Sequence, residues 1–417
     1  MRIWTGSRKP WFTPNQRYRR LKVGRIFIDV TQSCRSSNNS GIQVVTRNLF
    51  REIDSAHNAV PMIWDDRLRR YAQLSPNEKK NLLNPFSKGY KPKARPNKQE
   101  NPFYKELLST LLRLRKLISL TKKPEEEDLV LFPEVFRDNR VFCLPTLLHP
   151  ELGKAGIFYD ANVLRNPEGT PSARVRNFQA YLDFLSECDA ISCISEESRE
   201  AFQRHALKPV GPRKIGVHHL PVEKPASTPS LPLSDPPLIL CVSTLGYNKN
   251  HLTLLEAVEK LWSDGMQFEL ELVGQADPSW TPKVLNVLDG LISKHRPVKW
   301  LQHVDQETLE QKYASCSFTA YPSLYEGFGL PVLESLIRGK PCICGKNGAL
   351  GEVSLGGGCL TIDNQRDPDL LENAIRRVLS DDAVRQNLCK EARQRDFGNW
   401  KRYSSDLLSL FLGKGQA

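Results

Sequence analysis

The sequence predicts an α/β protein made of two Rossmann-like, doubly wound domains. Three observations carry that expectation. From residue 238 onward, short apolar runs alternate with amphipathic stretches, the rhythm of a parallel sheet with crossover helices. The first half opens in the same way, with a strand-like Arg25–Val30 and then apolar spacing at Ile42, Val45, Leu49 and Ile53. Between the halves lies 221–237, with proline at 221, 225, 229, 232, 236 and 237, the composition of a semi-rigid linker.

Taken in order, the chain begins with a basic arm over 1–22. Arg2, Arg8, Lys9, Arg17, Arg19, Arg20, Lys22 and Arg25 all precede the first acid, Asp29. The arm lacks the apolar core of a secretory signal, and Trp4, Trp11, Phe12 and two prolines depart from a transit-peptide pattern. The first domain spans 23–220. After the strand at Arg25–Val30 comes a polar turn through Cys34 to Ser40, and Gly41 opens a helix. Ala59–Trp64 is a second strand. The stretch 65–127 is long, basic and proline-containing, more than a connection needs, and reads as an insertion. Within it Tyr104–Leu120 reads as a leucine-rich helix with Arg113, Arg115 and Lys116, packed inward or lying on a membrane surface. Strands follow at Leu129–Phe132, Val141–Leu144 and Gly156–Tyr159, a helix at Ser172–Ser186, and strands at Ala190–Ile194 and Lys214–Leu220.

The second domain, 238–398, has strands at Leu238–Ser243, Phe268–Val273, Val298–Leu301, Phe318–Tyr321, Cys342–Cys344 and Cys359–Ile362. Its helices fall at His251–Trp262, Pro282–Ser293, Gln306–Ser315, Val332–Arg338, Pro368–Leu379 and Ala383–Gln394. An amphipathic helix, Trp400–Leu412, fills the last segment, 399–417.

Composition narrows the function. The chain has 417 residues, 59 Lys and Arg against 47 Asp and Glu, and a formal net charge of +12. Nucleic acid, an anionic membrane face and anionic small molecules all suit that charge, but no helix–turn–helix, zinc finger or RNA-binding aromatic motif stands out. No apolar run approaches 18 residues. Ten cysteines lie scattered without Cys-x-x-Cys or paired metal-ligand spacing, which points to a reducing, cytoplasmic setting and to no metal site.

One stretch carries chemistry: Tyr321-Pro-Ser-Leu-Tyr-Glu326-Gly327-Phe328-Gly329-Leu330-Pro331-Val-Leu-Glu334. It reads as the end of a buried strand, a glycine turn and a helix start, the place where a parallel sheet binds ligands. Gly327 and Gly329 let backbone approach a ligand, and a helix N-terminus attracts phosphate. Glu326 and Glu334 suit hydroxyls better than phosphate. A nucleotide sugar, with phosphate at its centre and hydroxyl-rich rings at both ends, satisfies all of these.

These residues resemble the Glu-x7-Glu motif of the large retaining glycosyltransferase family with the GT-B fold (glycosyl transferases group 1), with Gly-Phe-Gly-Leu-Pro between the acids. The resemblance implies two Rossmann-like domains facing a cleft, the first for the acceptor and the second for the donor, with the last helix crossing back onto the first. It implies that Glu326 meets the transferred sugar, Glu334 holds the ribose, and Gly327, Phe328, Gly329 and Leu330 lie at the donor. Ser243-Thr244-Leu245-Gly246-Tyr247-Asn248-Lys249-Asn250 resembles the family's Gly-Thr-Leu-x-x-Arg-Lys-Asn segment. Thr244 is then a donor contact and Lys249 a catalytic cation on the diphosphate, while Asn248 replaces an arginine. Gly41 resembles the glycine of the family's first loop. Asp160 falls at the family's active-site edge, where Tyr159 replaces a histidine. Glu352 resembles a loop acid near the donor sugar, with Gly351 in place of proline, and Ser195-Glu196-Glu197-Ser198-Arg199 follows the Ser-Glu-x-x-Arg pattern.

The expected activity is retaining, metal-independent transfer of a hexose, by local likeness mannose, from a GDP- or UDP-linked sugar. The acceptor is a glycan or lipid-linked glycan in polysaccharide biosynthesis. No cofactor is needed beyond the nucleotide diphosphate sugar as co-substrate, and no nucleic acid partner is expected. The basic arm and insertion suit an anionic membrane surface, which makes the inner face of the plasma membrane the expected place for a peripheral, cytoplasmic protein. Two other classes share features with this reading: a sugar-nucleotide epimerase or glycan phosphorylase on the same fold, and a non-catalytic basic protein that binds nucleic acid.

Overall fold

The computed structural model describes residues 24–36, 40–84, 116–125, 127–136, 138–165, 171–207, 214–225, 231–276 and 281–413. The basic arm, most of the proposed insertion and five linker residues lie outside them. The chain forms two compact units. One gathers the described residues of Pro221–Asn399 together with Ser195–Glu197; the other holds the described residues up to Ile194, those of Ser198–Leu220, and 400–413.

The first unit is built on an eight-stranded sheet. Its strands are β1 (Arg25–Asp29), β2 (Asn58–Asp65), β3 (Arg70–Gln73), β4 (Leu117–Ile118), β5 (Leu129–Phe132), β6 (Gly153–Phe158), β7 (Ala190–Cys193) and β8 (Lys214–Val217). They lie in the order β4-β3-β2-β1-β5-β6-β7-β8, with only the β2–β3 and β3–β4 pairs antiparallel. All four residues of β5 are buried, as expected for a parallel strand covered on both faces. The helices are α1 (Thr31–Arg35), α2 (Gly41–Ala56), α3 (Pro76–Leu83), α4 (Arg140–Leu147), α5 (Asn162–Arg165), α6 (Ser172–Leu185) and α7 (Glu196–His205).

Four expectations for this unit are corrected. The run Val141–Leu144, expected as a strand, belongs to α4, which buries Arg140, Val141, Leu144 and Leu147 at helical spacing. Short apolar runs do not distinguish the two states, and here the buried positions follow the helix period. The polar turn after β1 begins as the short helix α1. The stretch 65–127 is not wholly an insertion, because β3, α3 and β4 complete the sheet edge inside it. Helix α3 is specified locally: Ser75 Oγ accepts from Glu78 N at 3.3 Å, and Glu78 Oε2 accepts from Ser75 N at 2.9 Å. The leucine-rich helix expected over Tyr104–Leu120 ends instead as the edge strand β4, with Leu120 buried. The rest of that segment lies outside the described residues.

The strand order of this sheet reverses between β1 and β5, and protein charges fill the crevice there. Asp29, at the end of β1, accepts from Thr31 Oγ1 at 2.6 Å, Tyr71 Oη at 2.7 Å and Arg140 at 2.5 Å. Glu134, just beyond β5, accepts from Gln32 N at 2.6 Å and Ser33 N at 2.7 Å. Burial and the nearby Asp29 charge push the Glu134 carboxyl up to about 7, against the hydrogen bonds it accepts.

The second unit has a six-stranded, all-parallel sheet of β9 (Leu238–Val242), β10 (Glu269–Val273), β11 (Val298–Leu301), β12 (Phe318–Tyr321), β13 (Cys342–Gly345) and β14 (Cys359–Ile362). The order is β11-β10-β9-β12-β13-β14, the doubly wound Rossmann arrangement. Its helices are α8 (His251–Ser263), α9 (Thr281–Ser293), α10 (Gln306–Ser315), α11 (Leu330–Ile337), α12 (Gly348–Ser354), α13 (Pro368–Ser380) and α14 (Asp382–Gln394). Leu254, Val258 and Leu261 of α8 and Leu371, Ile375 and Val378 of α13 are buried in one core with Ile239, Leu270 and Phe318 of the sheet. Helix α12 departs from the loop expected there.

The last helix, α15 (Trp400–Phe411), belongs with the first unit and packs against α2. It buries Trp400, Tyr403, Leu407 and Leu408.

Candidate functional site

In the second sheet the strand order reverses between β9 and β12, so the loops after these two strands flank the crevice where doubly wound sheets bind ligands. The loop after β12 runs from Pro322 to Phe328. Gly329 then takes φ 115° and starts α11, with Pro331 near its first turn. That φ is open to glycine and strained for any other residue, and a Cβ there would lie 2.9 Å from Leu350 of α12. The N-terminus of α11 therefore stands at the crevice.

The loop after β9 runs through Thr244 and a 3-10 turn, Tyr247–Lys249, into α8. It is tied to the other loop at several points. Leu324 N donates to Asn248 O at 2.7 Å, and Asn248 Nδ2 donates to Tyr325 O at 3.4 Å. Asn250, in the left-handed region at φ 59°, donates to Pro322 O at 3.3 Å and to Gln365 O at 2.5 Å. Asn248, which stands where the resemblance expects an arginine, thus supplies a loop contact and no charge.

The two loops bring Lys249 and Glu326 together. Lys249 Nζ lies 2.6 Å from Glu326 Oε1, with both side chains mostly buried. Tyr321 Oη lies 2.7 Å from the same ammonium and 2.9 Å from the same carboxylate oxygen. Burial alone would lower the Lys249 pKa; the Glu326 charge, Tyr321 and their hydrogen bonds outweigh it and hold the ammonium above the ordinary lysine value. Burial, reinforced by the Glu326 charge, raises the Tyr321 phenol, so it stays protonated and able to donate.

Glu334 is the fifth residue of α11 and is half-buried. Burial, and then Glu310, raise its carboxyl, while Arg338 and a hydrogen bond from Tyr313 act against them. Arg338 itself grips Glu310 with two bonds, of 2.8 and 2.6 Å. Gly327 is buried, Leu330 half-buried and Thr244 exposed, whereas the Phe328 side chain is only 3% exposed and serves packing. Glu352 accepts from the N–H groups of Glu196 and Glu197, at 2.8 Å each, at the start of α7, where Ser195–Glu197 cluster with this unit. Gly274 follows β10 at φ 149°, where a Cβ would meet Ser243 O at 2.0 Å, so a close backbone crossing requires glycine there.

Two expected residues belong to the first unit. Gly41 is the first residue of α2, where Gln43 Oε1 already takes the Ser40 N–H at 2.8 Å. Asp160 is half-buried and accepts from Asn162 N at 2.9 Å. Tyr159, in place of the histidine, points inward and donates to Pro133 O at 2.7 Å, a structural role for a 5% exposed side chain.

Sequence reasoning missed Tyr321 as a site residue because it closes an apolar run. The available signal was its phenol at the last position of a strand that points at the crevice. It also missed Arg366, whose guanidinium donates to Tyr325 Oη at 2.8 Å and Tyr247 Oη at 3.3 Å, one tyrosine from each loop. Among the described residues, no group of three or more His, Cys, Asp or Glu is placed to hold a metal ion, and no helix is long and apolar enough to cross a membrane. None of the ten cysteines is in a disulfide.

Two doubly wound sheets, one bearing a helix N-terminus and a Lys–Glu pair at its switch point, correspond to the GT-B fold. Residues 224–395 match the family model described as glycosyl transferases group 1. The serotype-specific mannosyltransferase WbdA of Escherichia coli is 30% identical over 212 residues, which are 45% of this chain and 25% of that protein. The chain thus spans about a quarter of the length of the first curated relatives it matches. Among solved structures, sucrose-phosphate synthase from Thermosynechococcus elongatus superposes with a TM-score of 0.62 at 17% identity, covering 94% of this chain and 98% of that one. Anabaena HepE, in complex with UDP and glucose, gives 0.60 at 16% identity, covering 92% and 99%. At these identities the structures speak for the fold alone.

Proposed function

We propose that this protein transfers a hexose from a nucleotide diphosphate sugar to a glycan or lipid-linked glycan, with retention of anomeric configuration and without a required metal ion. The observation that carries the proposal is the Lys249–Glu326 pair beside the α11 N-terminus, at the switch point of the second sheet. As the bond between the anomeric carbon and the diphosphate oxygen breaks, negative charge gathers on the leaving diphosphate; the acceptor hydroxyl oxygen bonds to that carbon and passes its proton to the departing phosphate oxygen. The α11 amides and Lys249 stabilise that charge as it develops. Glu326 orients the sugar through its hydroxyls, and Glu334 anchors the ribose.

Mannose is the favoured hexose because the first curated relative is a mannosyltransferase, and GDP and UDP are the favoured carriers. The acceptor reading places the protein in polysaccharide assembly, working from the cytoplasm at the inner face of a membrane, where its +12 charge would meet anionic lipid. The test is release of nucleoside diphosphate from GDP-mannose, UDP-glucose and ADP-glucose, in EDTA and with a mannan acceptor. Turnover of one donor, unchanged by the chelator, is the expected result. No release from any of them by folded protein would contradict the proposal.

A further inference from the structure

Glu326 carries an asymmetry. Lys249 and Tyr321 both donate to Oε1, and Lys249 also donates to the Tyr321 oxygen, so three groups close a triangle on one edge of the carboxylate. Among the described residues no protein donor reaches Oε2. The two donors differ in freedom. Tyr321 is 3% exposed and ends β12, where pairing with Cys344 of β13 fixes its backbone. Lys249 hangs on a four-carbon stem from a 3-10 turn.

A diphosphate arriving at the α11 N-terminus brings more negative charge than one carboxylate and competes for the Lys249 ammonium. If Lys249 were the only restraint, Glu326 would lose its position just as the sugar arrives. We propose that Tyr321 is a positioning residue: its phenol holds Glu326 Oε1 while Lys249 turns to the diphosphate, leaving Oε2 to accept from a hydroxyl of the donor sugar. The proposal rests on the donor-site reading above and adds to it a division of labour within the triangle. Lys249 is exchanged between carboxylate and phosphate, and Tyr321 is the constant partner.

The test compares wild type with Tyr321→Phe, which keeps the ring and removes only the hydroxyl. Three quantities are read: the thermal midpoint, the affinity for GDP and UDP alone, and kcat and KM for nucleoside diphosphate release from GDP-mannose and UDP-glucose. A hydrogen bond to a charged group predicts a kcat loss of about 10–100-fold. The nucleoside diphosphate affinity should stay within about threefold, since a free nucleoside diphosphate carries no sugar for Glu326 to meet. In a Glu326→Gln background, adding Tyr321→Phe should weaken nucleotide-sugar binding no further. Wild-type turnover in Tyr321→Phe would overturn the proposal. So would a parallel loss of turnover and of nucleoside diphosphate affinity, which would make Tyr321 part of the scaffold. Should the wild type itself neither bind nor turn over any of these probes, the donor-site reading fails and this inference falls with it.

Discussion

Glu326→Gln should cut hexose transfer by at least about 100-fold, the scale expected when a reacting group loses its orientation, while nucleoside diphosphate binds no more weakly than to wild type. The two halves of that expectation come from different sides of one contact. The amide is nearly the shape of the carboxylate but lacks the charge that draws sugar hydroxyls into place. The same change removes the partner that holds Lys249 at 2.6 Å, so the ammonium becomes freer to meet phosphate. Steady-state kinetics with the active donor, beside calorimetric titration of the free nucleoside diphosphate, measures both. Equal losses in the two would mean that Glu326 serves the scaffold rather than the sugar.

Arg140→Met is the change expected to cost most stability in the first unit, on the order of 3–5 kcal/mol. Arg140 and Asp29 are both fully buried, and Arg140 also bonds Asp138 through Nε at 2.7 Å and through a second nitrogen at 2.5 Å. Methionine fills much of the space but leaves Asp29 with only the neutral donors Thr31 and Tyr71. A buried carboxylate without its cation is the costly state, more so than loss of the whole pair. Urea unfolding followed by tryptophan fluorescence reads the loss, with Trp64 of this unit fully buried and bonded to Asp66 at 3.0 Å. A loss under about 1 kcal/mol, the range of exposed pairs, would show that the network is not the support described here.

Much of the second unit was legible because its strands are short continuous apolar runs separated by turn signals. Val298–Leu301, Phe318–Tyr321 and Cys359–Ile362 match their expected bounds. The Gly329 turn was legible for a related reason, since a glycine between a buried strand and a proline-marked helix has few other uses. What failed shares a physical cause. Val141–Leu144 is too short for its period to separate strand from helix. Helix α12 was hidden by Gly348 and Gly351, poor helix formers. Gly351 is there because a Cβ would lie 2.0 Å from Lys346 O. The Asp29–Arg140 pair joins residues 111 apart in sequence, a distance at which no local pattern speaks. Lys249 and Glu326 were each legible from their own segments, but their pairing, 77 residues apart, belongs to the topology that sets β9 beside β12.

Thermal unfolding with GDP, UDP and ADP, on wild type and on Glu334→Ala, tests most directly the claim that residues 318–337 hold a nucleotide sugar. At one hundred times its dissociation constant, a ligand adds about 2.7 kcal/mol, which for a unit of this size is a midpoint shift of roughly 5–10 °C. The expected result is one nucleotide that raises the midpoint of the wild type and fails to do so for Glu334→Ala at the same concentration. No shift with any nucleotide in folded wild type, or an equal shift in both proteins, would contradict it.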